Sequence, residues 1–119
     1  MSSSAKKRNS GPLSASVFHV LLALANGPSH GLGIADDVEE PTGGIVKLGP
    51  GTLYRALKQM VEGGLIVESE APSADEDARR RHYCLTPAGR TALEHEAQRY
   101  RRVVAALSER DVYRGESVT

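Results

Sequence analysis

GPGTLYRALKQMVEGG, residues 49–64, decides how the rest of the chain is read. At helical spacing Leu53, Ala56, Leu57, Met60 and Val61 fall at i, i+3, i+4, i+7 and i+8, which makes one apolar stripe. Tyr54, Arg55, Lys58, Gln59 and Glu62 take the opposite face. Gly-Pro-Gly forms a turn ahead of the helix, and Thr52 is placed to cap its first turn with a hydroxyl. Gly63 and Gly64 stop it, because glycine reaches the left-handed C-cap conformation without strain. The β-branched run Leu65-Ile66-Val67 then reads as the start of a strand. Taken alone, this is either an ordinary surface helix or one that offers two cations and a tyrosine to a nucleic acid. Its surroundings separate the two.

Upstream, residues 13–25 (LSASVFHVLLALA) put Leu13, Val17, Val20, Leu21 and Leu24 on one side of a helix. Phe18 and Leu22 widen that apolar surface beyond what one-sided burial requires, which points to burial against a second subunit as well. Asn26-Gly27-Pro28 ends it, and Ser29 is the expected cap of a second helix over 30–40 with Leu32, Ile34, Ala35 and Val38 as its apolar share. The acidic end of that helix, Asp36 to Glu40, should face away from any phosphate. Residues 41–44 break the chain, and Ile45 to Leu48 read as a stub of strand. Helix, short break, helix, turn-rich linker, helix is the order of a helix-turn-helix, whose last helix enters the major groove by its N-terminal residues.

Downstream, residues 65–71 and 82–85 have the short mixed alternation of hairpin strands around a polar tip at 72–78. Arg79, Arg80 and Arg81 stand where the tip rejoins the hairpin. They read as a phosphate clamp, or else as a charged edge that blocks strand addition. Thr86-Pro87 is a helix start, and Leu93, Ala97, Tyr100, Val104 and Leu107 then follow in steps of four and three. That seam extends over about two heptads and suits helix pairing between subunits, the remaining faces being heavily charged.

Composition narrows the classes. The chain has 119 residues and equal numbers of basic and acidic side chains, 15 of each, so a polyanion would meet a local patch and not a cationic molecule. One cysteine, Cys84, excludes an internal disulfide framework and favours a reducing cytoplasm. No apolar stretch is long enough for a membrane helix, and MSSSAKKRNSG lacks a secretory signal core. His19, His30, His82 and His95 are scattered without metal-ligand spacing, and no nucleophile–base cluster is visible, so no catalytic residue, metal or cofactor is assigned.

The blocks SHGLGIADDVEE, GPGTLYRALKQMVEGGLIVE and RRRHYCLTPAGRTAL resemble the PadR-like family of bacterial transcriptional regulators, over residues 13–107. Gly51-Thr52-Leu53-Tyr54, together with His30-Gly31 and Leu85-Thr86-Pro87-Ala88-Gly89, carries the specificity of that resemblance. It implies a mainly α fold with a small β-hairpin, a winged helix-turn-helix plus a C-terminal dimerisation helix. The chain is then a cytoplasmic homodimeric repressor on a palindromic double-stranded operator. Thr52, Tyr54, Arg55 and Lys58 would contact DNA, and the wing residues Arg79, Arg80 and Arg81 its backbone. Val17 and Leu21 of the first helix would join the seam residues in the dimer. Many such regulators release DNA on binding a small aromatic or drug-like effector. This chain resembles the short members with a single C-terminal helix and has no Trp to stack on a ligand. The implied organisation is a disordered basic tail (1–12), a DNA-binding domain (13–86), a dimerisation helix (87–110) and a frayed tail (111–119). The rival reading is a winged-helix protein–protein interaction module without DNA, supported by the zero net charge and the acidic tip Asp75-Glu76-Asp77.

Overall fold

The computed structural model describes residues 13–71 and 80–112. The basic tail, Arg79, the acidic tip and residues 113–119 lie outside the described residues. Helix α1 spans Ala15–Ala23, capped by the Ser14 side chain, which accepts from the Val17 amide. A two-residue strand β1, Ser29–His30, leads into α2, Gly31–Glu39. A 3-10 turn over Glu40–Thr42 follows, then α3 at Pro50–Glu62. Strands β2, Ile66–Ser69, and β3, His82–Leu85, form the hairpin, and α4 runs over Pro87–Glu109. The fold is mainly helical with a small antiparallel sheet in the order β1-β3-β2.

The core is built where the three N-terminal helices meet. Val20, Leu21 and Leu24 of α1, Ile34 and Val38 of α2, and Leu53, Ala56, Leu57 and Met60 of α3 are all buried there. Leu65, Ile66, Tyr83 and Leu93 close it from the side of the hairpin and α4. On α3 the stripe predicted from spacing is buried as far as i+7. Val61 lies about 80° past Leu53 around the helix, and it is 41% exposed.

Several expectations are corrected by the geometry. Gly49, not Thr52, is the N-cap of α3: Pro50 at the first helical position has no amide to satisfy, and Leu53 N donates to Gly49 O at 2.9 Å. His30, not Ser29, caps α2, its Nδ1 accepting from the Gly33 amide at 3.3 Å. Ser29 instead pairs with Tyr83 and His30 with His82, so the wing has a third strand donated by the segment before α2. Ile45 to Leu48 form no strand: Val46 N is taken by the Thr42 hydroxyl, and Ile45 is exposed.

Two residues expected at a dimer interface are already spent on this chain's own core. Leu21 is fully buried and Leu93 is 8% exposed, which leaves neither with surface to offer a second subunit. The charged faces of α4 are not all solvated either. Glu96 is 4% exposed; its Oε2 accepts from the Leu13 amide and its Oε1 from Arg99 Nε at 3.1 Å. That carboxylate ties the start of α1 to the middle of α4.

Candidate nucleic-acid interface

The polar face of α3 follows from helical rotation. Advancing about 100° per residue, Arg55, Lys58 and Glu62 stand directly opposite the buried stripe, while Thr52 and Tyr54 fall on its two flanks. Thr52, Tyr54, Arg55 and Lys58 are all exposed. Arg55 and Lys58 make no ion pair among the described residues, which leaves both cations available to an external anion.

Tyr54 leans from its flank onto the start of α2. A methyl added at Gly31 would stand 3.0 Å from the Tyr54 hydroxyl oxygen, so the glycine is what lets the phenol approach the first turn of α2. Tyr54 is nevertheless 59% exposed and keeps its outer edge in water. His30, Gly31, Leu32, Tyr54, Arg80 and Arg81 line an open groove of about 410 Å³ between α2, α3 and the base of the wing. Sequence reasoning put Tyr54, Arg80 and Arg81 on one surface; the structure brings all three to this groove and adds Leu32, which is exposed beside them.

His30, which lines the groove, packs against a second imidazole, that of His82. His82 is 4% exposed and its Nδ1 donates to the Arg80 carbonyl at 2.8 Å. Its ring meets that of His30 edge to face at 5.2 Å. One residue therefore caps α2 and the other fixes the backbone that carries Arg80. The sequence offered no signal for this pair, because a pairing of β1 with β3 joins positions that no local pattern connects. Arg81 Nε is held by Glu68 Oε2 at 3.1 Å across the hairpin, with both side chains mostly exposed. Arg81 thus reaches a phosphate only in competition with Glu68.

A second cavity, of about 540 Å³, is lined by Asp36, Glu39, Glu40, Gly43 and Gly44. Its carboxylates would repel a polyanion, and they lie at the C-terminal end of α2, remote from His30, where the helix dipole disfavours them. Among the described residues no group of three or more His, Cys, Asp or Glu side chains is arranged to hold a metal ion. No described helix is long and apolar enough to cross a membrane.

On α4 the expected seam divides. Leu93 turns into the core, whereas Ala97 and Leu107 are half-buried and Tyr100, Val103 and Val104 are 44–51% exposed. Phe18 of α1 lies against Tyr100 with ring centroids 4.7 Å apart, and Val17 is half-buried on the same helix. Leu22 is 42% exposed and extends the apolar surface of α1.

Comparison with known proteins bears directly on this architecture. The family model described as "Transcriptional regulator PadR-like family" matches residues 20–95, more than half of the chain. A curated protein from Streptomyces fradiae, an uncharacterized 37.1 kDa protein in transposon TN4556, is 42% identical over 90 residues. The match covers 76% of this chain, which spans only 24% of that relative's length. Among solved structures, a PadR family transcription regulator from Clostridium difficile R20291 superposes with a TM-score of 0.69 at 27% identity, covering 81% of this chain and 97% of that one. Bacillus subtilis PadR in complex with operator DNA superposes at 0.58 and 21% identity, over 69% of this chain and 46% of that one. The second of these is a likeness of fold.

Proposed function

Since this chain belongs to the PadR-like family of transcriptional regulators, we propose that it is a sequence-specific DNA-binding regulator that acts as a homodimer, and a repressor, on a palindromic operator. One observation carries the reading. Arg55 and Lys58 stand on the exposed face of α3 without an ion pair among the described residues, Tyr54 of the same helix shares an open groove with Arg80 and Arg81 of the wing, and the carboxylates of α2 line a separate cavity at the C-terminal end of that helix. Phosphate neutralisation by Lys58 and Arg80 would set affinity and its salt dependence, and Thr52 to Arg55 would meet base edges. Arg79 would extend the wing contact. Release by a small aromatic effector belongs to the same proposal by family likeness.

The dimer half of the proposal rests on apolar surface left over by the single chain. Leu22, Tyr100, Val103 and Val104 are 42–51% exposed on α1 and α4, a stripe that water disfavours and a second copy would cover. Val17, Ala97 and Leu107 would pack at its margins. Leu21 and Leu93 would support it from beneath.

The test is fluorescence anisotropy of the purified protein on the DNA upstream of its own gene, against a scrambled duplex, at two salt concentrations. Binding at least about a thousandfold tighter than to the scramble is expected. Aromatic ligands added to the formed complex read out release. Equal and weak binding to both duplexes would refute sequence-specific recognition at that site, and no binding to either would favour the protein-interaction module.

A further inference from the structure

The hydroxyl of Thr86 does more than a helix cap requires. As N-cap of α4 it accepts from the Gly89 amide at 3.0 Å, which is the whole of the ordinary capping role. Its proton is directed elsewhere, at Gly64 O (2.6 Å) and Leu65 O (3.0 Å). The Thr86 amide adds a further bond to Leu65 O at 3.1 Å. Those two carbonyls belong to the turn that ends α3. There Gly64 sits at φ +78° and Leu65 N reaches back to Met60 O at 2.9 Å, with Gly64 N on Val61 O, a complete Schellman closure. Gly89 is buried against the same turn, and a methyl there would overlap the Leu65 carbonyl oxygen.

We propose that Thr86 is a positioning residue for DNA recognition: its hydroxyl ties the start of α4 to the end of α3, so the helix that joins two subunits sets where each recognition helix stands. The inference rests on the DNA-binding dimer proposed above. Elsewhere α4 meets α1 and its flanks, through hydrogen bonds from Arg90 to Ala25 O and from the Leu13 amide to Glu96 and through the ring contact of Tyr100 with Phe18. They hold α4 against α1, whereas the hydrogen bonds described between the start of α4 and the turn that ends α3 run through Thr86. The leverage is large. Over 23 residues, α4 is about 35 Å long, so a rotation of about 5° at Thr86 moves its far end by about 3 Å, close to one base-pair step.

Thr86→Val removes the hydroxyl and keeps the shape; Thr86→Ser keeps the hydroxyl. Duplexes selected by the unaltered protein from a randomised pool are remade with the gap between half-sites one base pair longer or shorter. For Thr86→Val the preference for the selected gap should fall by about tenfold, the scale of a single mismatch, with affinity for random duplex unchanged. Thr86→Ser should keep the preference. An unaltered gap preference in Thr86→Val, a parallel loss on every duplex, or an equal loss in Thr86→Ser overturns the inference. A second readout needs no DNA. In a Cys84→Ser background, spin labels at Lys58→Cys and Arg102→Cys, diluted with unlabelled protein, report the distance between α3 and α4 within one chain. Thr86→Val should broaden that distribution and Thr86→Ser should not. If the unaltered protein selects no sequence, the DNA reading fails and this distance decides the tie, an unchanged distribution refuting it.

Discussion

Leu93 and Val104 lie on one seam of α4, and the structure predicts opposite consequences for changing them. Leu93 is 8% exposed inside the chain's own core. Leu93→Ala therefore loses transfer energy and leaves a cavity, a cost of about 3 kcal/mol for a nearly buried leucine. For a domain of this size that is a fall of about 12–24 °C in melting temperature. Because the loss arises within one chain, it should be the same at every protein concentration. Val104 is 44% exposed, so Val104→Asp should alter the folding of a single chain by no more than about 0.5 kcal/mol. At a two-fold interface the same change places two carboxylates in apolar surroundings, and it should separate the subunits. The assay is thermal melting over a wide range of protein concentration, paired with sedimentation. Dimer linkage makes the midpoint rise with concentration; Val104→Asp should abolish that rise and sediment as one chain, and Leu93→Ala should preserve the rise at lower temperature. A Leu93→Ala variant that melts like its parent would refute the core placement, and a Val104→Asp variant that keeps the concentration dependence would refute the interface.

Arg55→Ala should weaken binding to a selected operator by about 1–3 kcal/mol and to random duplex far less; equal losses in competition anisotropy would reduce Arg55 to a phosphate contact. Glu68→Gln frees Arg81 from its cross-hairpin partner, so affinity for random DNA should rise a few-fold and the salt slope steepen by up to about one unit. An unchanged slope would take Arg81 out of the interface. Glu96→Ala, which strips the acceptor from the Leu13 amide and Arg99, should cost about 1–3 kcal/mol in chemical denaturation. Glu96→Gln should cost less, and equal costs would mean that the amide contact contributes nothing. Gly64→Ala forces a side chain into the left-handed region at φ +78°. It should destabilise by about 1–2 kcal/mol, and a neutral melt would show that the closing turn of α3 adapts.

Local rules carried most of the fold. The apolar stripe of α3 as far as Met60, its stop at Gly63-Gly64 and the Thr86-Pro87 start of α4 each depend on residues within one or two turns of one another, and each stands as spacing predicts. What spacing could not supply was long-range. The pairing of His30 with His82 joins strands on either side of α3, so no window along the chain contains both. Ser29 is a good capping residue, but the helix begins at Gly31, one residue later than a Ser29 cap requires, and the Ser29 hydroxyl donates to the His30 carbonyl instead. Heptad spacing marked Leu93 as apolar but cannot tell a residue facing its own core from one facing a partner. Glu96 was hidden by a sound generalisation, that carboxylates on a charged helix are solvated, which fails where a backbone amide needs an acceptor. In the groove, charge and position brought Tyr54, Arg80 and Arg81 together correctly, while the claim of Glu68 on Arg81 depended on strand register.

The donation of β1 to the wing has a consequence for how this molecule stays apart from its neighbours. A two-stranded hairpin presents two open edges, each a template for strand addition by another chain. Here β1 covers part of the outer side of β3, so the sheet's full-length free margin is β2. That margin is four residues long and carries Glu68 at its middle, which is short and charged enough to discourage the growth of a shared sheet. Two residues, Ser29 and His30, thus protect a small regulator from self-association through its wing.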